Sequence, residues 1–443
     1  MRIELLEALL EEALRQGAQE AEVFFRQTRT LSAEVKEAQP EFIKVSQESS
    51  YALRLIKDRR LGFSYSNQPE RWREVLKAAL QASEHTEADP HLCLPGPTQA
   101  PLCPPIYDPA IGGLGEEEAL QKALQLEEAA KATDRRIRQV RSAQAAFSLT
   151  DTLVANTHGL RARYEATSAV AHLMAMAQQG GQAQMAWDFA SSRFLQDVDF
   201  PLVGRRAAQK AVALLGARRQ RAFKGALLLD APVAAEFLSL LAQMLSAEAV
   251  QKGKSLLKDR VGQRLLSPLV DILDDGLLPR APGSRPVDDE GSPCQRKTLV
   301  EAGTLRGFLH NAYTANRAGT RSTGNGLRPS AASPPGVAPT NLYIRPKGEA
   351  YSQEALLQGV SKGLLVLEAM GVHTADPISG EFSIGVSGLL IQGGRLQGPV
   401  SEAVVAGNVL QLFSNLRAVG DDLRFLGPVG SPSLLMEPVD ISA

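Results

Sequence analysis

The chain has 443 residues, 44% hydrophobic and 22% charged, with a formal net charge of −1. That length exceeds what one core supports and predicts two or three domains, while the even charge balance excludes a basic nucleic-acid footprint and a long acidic tail. No run of eighteen apolar residues occurs, so no membrane span is expected.

Ile3, Leu6, Leu10 and Leu14 recur at helical spacing, with Glu4, Glu7 and Glu11 off the stripe and Gly17 past its end. This acidic start is unlike a signal or transit peptide. Ala21, Val23 and Phe25 alternate as a strand, and so do Leu31, Ala33 and Val35. Tyr51 to Ser66 predicts a hairpin that points Leu53 and Leu55 inward, turns at Asp58-Arg59-Arg60 and returns through Leu61, Phe63 and Tyr65. A helix over Glu70 to His85 repeats Trp72, Val75, Leu76, Ala79 and Leu80. Residues 1–88 are therefore expected as an N-terminal α+β domain.

Seven prolines between Asp89 and Pro109 predict a linker, extended here to 89–115. A helix over Glu116 to Thr133, with Leu120, Leu124 and Leu126, opens a central domain at 116–222. Long strands from Arg136 to Arg193 turn at Asn156 to Gly159 and at Gly180-Gly181, which predicts a broad curved antiparallel sheet. Pro201 to Leu215 closes the domain as a helix.

Residues 223–443 read as a strand-rich C-terminal domain. Ala226 to Leu229 is a short buried strand, and Asp230 is expected to cap a helix running to about Ala247. Asn311 to Ala318 and Gln353 to Val360 are the other expected helices, and loops are expected at Leu278 to Pro293, Thr320 to Pro339 and Gly371 to Gly380. From Met370 to Gly394 a polar turn feeds a strand in which Phe382, Ile384 and Val386 alternate with small residues before Gly393-Gly394 turns. The whole chain is of the α+β class, without a solenoid-period repeat.

The chemistry is sparse. The histidines are His85, His91, His158, His172, His310 and His373, and no two stand one helical turn apart as a zinc helix requires. No G-x-S-x-G elbow is present. Cys93, Cys103 and Cys294 lack C-x-x-C spacing and suggest reduced thiols in a cytoplasmic protein, with Cys294 in a polar loop. Thr323-Gly324-Asn325-Gly326 reads equally as a tight turn or a substrate-contact loop, without a Walker or Rossmann pattern around it. A loose polar set remains as candidate substrate-binding residues: Arg317, Asn325, Arg328, Thr340, Asn341, His373, Asp376 and Glu381. The Asn341 amide is placed to bond the backbone of an extended peptide, and Arg317 and Arg328 serve equally as surface ion-pair partners.

The order GTLRGFLHNAYTANRAG, STGNGLR, APTNLYI, MGVHTADPISGEFSIGVSGLLI, PVSEAVVAGN, AVGDDLRF and GSPSLL resembles the modulator-of-DNA-gyrase family, TldD and PmbA (TldE). IKDRRLGFSYS and NTHGL fit it as well. The resemblance implies an intracellular protease of two related subunits acting on unfolded or short peptides. In its TldD-type subunit an H-E-x-x-x-H helix and a late cysteine hold zinc. Here the corresponding segment, Leu238 to Gln243, reads Leu-Ser-Leu-Leu-Ala-Gln, and no cysteine follows Ser383. The resemblance thus implies a PmbA/TldE-type subunit with no catalytic or metal residues of its own. Its expected partners are a TldD-like, zinc-bearing subunit or a second copy, and an extended peptide, with neither nucleic acid nor membrane. Two alternatives remain: a binding protein that modulates gyrase, and a stand-alone peptidase around Arg317, Asn341, His373 and Asp376.

Overall fold

A computed structural model describes residues 3–97 and 99–442, the side chains of Ile3 and His373 excepted. Helix α1 (Ile3–Arg15) buries Leu6, Leu9, Leu10 and Ala13, whereas Leu14 is exposed. The two alternating segments that follow are one strand, β1 (Glu20–Lys36), which pairs along its length with β2 (Gln39–Lys57). Asp58 and Arg59, both at positive φ, turn the chain into β3 (Arg60–Ser66), whose Tyr65 is exposed. Helix α2 (Trp72–Glu84) begins after a 3-10 turn at Pro69–Arg71, two residues later than Glu70.

The proline-rich stretch is docked on the fold. Leu94 and Ile106 are buried, the Asn156 amide donates to the Pro95 carbonyl at 2.7 Å, and a short helix, α3 (Pro109–Gly112), follows. After α4 (Glu116–Thr133) come β4 (Ile137–Asn156), β5 (Arg161–Gln179), β6 (Gln182–Ser192) and α5 (Phe200–Ala213). The six strands form one sheet in the order β3-β2-β1-β4-β5-β6, so pairing of β1 with β4 carries it across the proline-rich stretch.

Alternation decides which face each strand buries. Odd-numbered β1 residues face the helices: Ala21, Val23 and Phe25 pack with α1 and α2, and Leu31, Ala33 and Val35 with α4 and α5. Even-numbered ones, Glu22, Phe24, Arg26 and Thr28, face the other way, in register with Asn156, Val154, Thr152 and Thr150 of β4.

The C-terminal half starts with β7 (Phe223–Leu229), α6 (Ala231–Met244) and α7 (Ala247–Gln251). Asp230 makes no side-chain cap; its carboxylate pairs instead with Lys210 at 2.8 Å. Next are β8 (Val270–Asp275), β9 (Arg296–Glu301), β10 (Thr304–Leu305), α8 (Ala312–Arg317), β11 (Gly326–Leu327), β12 (Gly336–Val337), β13 (Leu342–Pro346) and α9 (Gln353–Gln358). The chain ends with β14 (Lys362–Met370), β15 (Glu381–Gln392), β16 (Arg395–Asn408), α10 (Val409–Ser414), β17 (Leu416–Val419), β18 (Arg424–Leu426), β19 (Val429–Ser431) and β20 (Leu434–Ser442). One sheet runs β16-β15-β14-β7-β20-β17, and β16 also pairs with β20, closing five strands into a ring. A second runs β10-β9-β8-β13-β19-β18. Helix α6 lies between the two sheets, apolar on nearly every side, as a core helix must be. Phe237 meets Phe382 edge-on at 5.4 Å, which gives the alternating strand of the 370–394 stretch its packing partner.

The halves are joined by buried charge. Arg328 donates to Glu22 at 2.6 Å, Arg54 donates to Glu22 at 2.7 Å and to Glu290 at 2.8 Å, and all four side chains are at most 8% exposed. The polar loop expected around Cys294 is therefore interior: Asp288, Asp289, Glu290 and Cys294 are buried. Removing one member of such a chain strands the others without partners. Arg54→Ala should cost about 3–5 kcal/mol in urea unfolding, whereas Arg163→Ala, at an exposed pair with Asp151, should cost no more than about 0.5 kcal/mol. Equal losses would contradict the buried chain's role.

Candidate functional site

The even-numbered face of the first sheet is not fully covered. Between it and the C-terminal loops lies a cavity of about 700 Å³, within the ~300–1,000 Å³ that suits a small ligand. Arg26, Thr152 and Tyr164 form one rung of its sheet wall, since Arg26 pairs in register with Thr152 and Thr152 with Tyr164. Thr28 and Thr150 form the next, their hydroxyls 3.2 Å apart. The facing wall is loop: Gly283, Arg285, Asp289, Arg328, Pro339 and Thr340. Glu248 of α7 lies at the rim.

Two guanidiniums meet one carboxylate here, and a third, Arg193, lies nearby. Arg26 donates to Asp289 Oδ1 at 2.9 Å, and Arg285 reaches the same oxygen at 3.4 Å. Asp289 Oδ2 is taken by the Arg328 backbone N–H at 2.8 Å. Arg193 donates only to carbonyls, of Thr167 and Ser284, both at 3.1 Å. Burial and the charge of Arg285 lower its pKa to about 10, which leaves it cationic at neutral pH. Burial raises the Tyr164 pKa, so its hydroxyl stays neutral and able to donate. Asp288 lies behind Asp289 and accepts three backbone N–H groups; burial and Glu290 push its carboxyl toward the neutral form.

Four of the residues singled out in sequence lie around this cavity, but the fold itself uses them. Asn325 donates to Asp274 and to the Ala338 carbonyl, both at 2.9 Å, and accepts from Lys297 at 2.8 Å. Thr340 donates to Asp274 through its N–H and its hydroxyl. Asn341 accepts from the Gly283 N–H at 2.8 Å and donates to the Asp275 carbonyl at 2.7 Å, so its amide holds a loop and is not free for a peptide backbone. Arg328 is in the buried ion pair with Glu22, not on the surface. The remaining four lie elsewhere. Arg317 is exposed on α8. Asp376 and Glu381 are exposed; Asp376 accepts from Ile378 and Ser379, which lowers its pKa, and Glu381 accepts from Asn408. The side chain of His373 lies outside the described residues.

Gly324, at φ +72°, makes the 323–326 segment a tight turn against Pro293 and Cys294. Sequence reasoning missed Arg26, Tyr164, Arg193, Arg285 and Asp289. The available signal was parity: Glu22, Arg26 and Thr28 are polar at even positions of a strand whose odd Ala21, Val23, Phe25, Leu31, Ala33 and Val35 are apolar, and Thr150 and Thr152 stand in register with Thr28 and Arg26 on β4.

Helix α6 carries Leu238 to Gln243. Leu238, Leu240, Leu241 and Ala242 pack into the core, Ser239 donates to the Glu236 carbonyl at 2.6 Å, and Gln243 is exposed. Among the described residues, no three His, Cys, Asp or Glu side chains are grouped to hold a metal ion. Glu236 of α6 and Glu368 of β14 lie in the field of Lys210, and burial raises each to about 7.

Residues 21–84, 110–215 and 224–443 match, in turn, domain 1, the central domain and the C-terminal domain of the PmbA/TldA metallopeptidases. The metalloprotease PmbA of Escherichia coli O157:H7 is 24% identical over 95% of this chain and 92% of its own length. A metalloprotease TldD homologue of Buchnera aphidicola is 31% identical over 39% of this chain and 36% of its own. A crystal structure from Thermotoga maritima, described as a modulator of a DNA gyrase, superposes with a TM-score of 0.91 at 26% identity, covering 99% of each chain. TldE of Thermococcus kodakarensis superposes with a TM-score of 0.90 at 24% identity over 99% of this chain and 100% of that one, a likeness of fold.

Two outcomes follow from these environments. A carboxyl with its folded pKa raised from 4.5 to about 7 keeps a proton that the unfolded chain has released, so its ionisation removes stability as pH rises through that interval. Glu236→Gln or Glu368→Gln should therefore raise stability at pH 8 by about 1 kcal/mol each, after allowing for partial exposure, seen as a higher Tm, and change little at pH 4.5. Asn341→Ala should lower stability by about 2–3 kcal/mol, since it leaves the Gly283 N–H and Asp275 carbonyl without partners, and calorimetry of the variant checks this.

Proposed function

The chain belongs to the PmbA/TldD metallopeptidase family, and from that membership we propose that it serves as a PmbA/TldE-type subunit, binding peptide while a TldD-like partner carries the zinc. Helix α6 carries this reading. Zinc is held by imidazole, thiolate or carboxylate. At Leu238 to Gln243, where the family resemblance places the ligand helix, the side chains are aliphatic and packed into the core, apart from one serine and one exposed glutamine. These residues do not fit the metal, and no catalytic step is assigned to them.

The peptide would be extended and would enter the cavity on the even-numbered face of the first sheet. Farther along that face, His172 stands opposite Phe189 and Met174 opposite Trp187, all half-buried. Such an apolar strip favours a second chain over it, either a TldD-like subunit or another copy. TldD and TldE among the similar proteins support the first. No described helix is long and apolar enough to cross a membrane. Cys93, Cys103 and Cys294 are free thiols, in keeping with a reducing cytoplasm.

The decisive comparison is metal content and peptide cleavage of the purified chain, alone and mixed with a TldD-like protein. Alone it should hold no stoichiometric zinc and cleave nothing; the mixture should cleave unfolded peptides and lose that activity to a chelator. Tight stoichiometric zinc with chelator-sensitive cleavage by this chain alone would overturn the proposal. So would co-purification with gyrase and not with any TldD-like protein.

A further inference from the structure

The cavity between β1, β4, β5 and the 282–289 loop contains more positive charge than its own residues neutralise. Arg26, Arg193 and Arg285 line it, and the only carboxylate bonded to any of them, among the described residues, is Asp289. Glu22 is already shared by Arg54 and Arg328, and Glu248 at the rim pairs with Lys252. Asp289 is 1% exposed, whereas the side chains of Arg26 and Arg285 keep 23% and 19% of their surface. The carboxylate thus lies behind the guanidiniums and does not block their approach from the cavity.

Donors remain unused as well. Each guanidinium offers five N–H groups in a planar fork. Arg193 spends two nitrogens on carbonyls, and its buried Nε has no partner. A buried cation bonded only to carbonyls lacks the counter-charge that usually accompanies it. The rim is apolar by contrast, built from Pro282, Leu327, Pro329, Val337, Pro339 and Pro428. A fitting ligand therefore has an anionic end and an apolar body.

We propose that this cavity is a carboxylate-binding pocket, in which Arg193 and Arg285 clasp the C-terminal α-carboxylate of a short peptide whose apolar residues lie along the proline-lined rim. A planar carboxylate matches a guanidinium fork in two-point contact, and Tyr164 adds a neutral donor. That the carboxylate belongs to a peptide rests on the subunit reading above; the anion chemistry rests on the cavity alone.

Titration calorimetry of the full-length chain, with no partner present, tests it. The probes are N-acetyl-Ala-Leu-Leu with a free carboxylate, the same tripeptide as its C-terminal amide, an N-acetyl-Glu-Leu-Leu amide, and inorganic phosphate at matched ionic strength. The free acid should bind, the amide about ten-fold or more weaker, and Arg193→Gln or Arg285→Gln should weaken the acid similarly while leaving the amide unchanged. Arg163→Gln, at an exposed pair on β5, should bind like the parent chain. Equal binding of acid and amide by the parent chain overturns the pocket without recourse to any variant. Preference for the glutamate peptide, or for phosphate, overturns the terminal-carboxylate assignment. Failure of the subunit reading would show instead in the zinc and cleavage measurements, which this titration does not involve.

Discussion

Glu22 is the residue on which the joining of the two halves depends. It sits on the first strand, its carboxylate fully buried, and it bonds one arginine from its own sheet and one from the C-terminal half. Taking four charges out of water is costly, and the cost is met only because each finds its partner within 2.6–2.8 Å. Such a cluster is a poor source of net stability but a strict condition on geometry. The halves can close in one register only, the one that places Arg328 over Glu22 and Glu290 beneath Arg54.

That condition explains the course of the 288–290 segment. Three consecutive acids would be expected to project into solvent, yet each is committed inward. Asp288 gathers the N–H groups of Glu290, Ser292 and Gly326; Asp289 takes Arg26 and the Arg328 N–H; Glu290 takes Arg54 and the Ala312 N–H at 2.8 Å. Fixing the loop in this way also fixes Arg285, three residues before Asp288, on the wall facing Tyr164. Asn325, Thr340 and Asn341 serve the same end, tying neighbouring loops to Asp274 and Asp275. The cavity is thus a gap left between rigidly held walls, which is how a scaffold pre-organises a binding surface.

Local pattern made much of the fold legible. Glu116 to Thr133, the long hairpins from Ile137 to Ser192 and the alternation of Phe382, Ile384 and Val386 follow from periodicity and turn residues, and each appears as read. The polar candidates were harder. Asn341 and Asn325 stand out in sequence because amides beside glycine and proline suggest a binding loop, but the same residues are what a buried loop needs to satisfy its own backbone. Arg26 and Arg193 do not stand out, because a lone arginine on a long strand, or just past the end of one, has the signature of a solvent-facing position. Their roles arise from what packs over the strand, roughly 260 residues later in the chain for Arg26 and Asp289. Short helices such as Ala247–Gln251 and Val409–Ser414 were also missed, at a length where helical period alone does not decide.

Helix α6 is a core helix, and its packing bears on metal chemistry. A metal-ligating helix must turn at least two donor side chains toward an open cleft, which leaves part of its circumference unpacked. Here the circumference is filled: Phe237, Leu238, Leu240 and Leu241 pack into the core that the helix shares with both C-terminal sheets. Four residues beyond its end, Glu248 already lines the arginine cavity. The helix thus joins the packed core to the cavity rim while contributing no ligand of its own. The aliphatic side chains stabilise the helix between its sheets by burying apolar surface, and the neighbouring arginine-lined wall is held separately, by Glu22, Asp289 and Glu290 and not by α6. The packing of α6 and the geometry of the arginine-lined wall therefore rest on different residues of this fold.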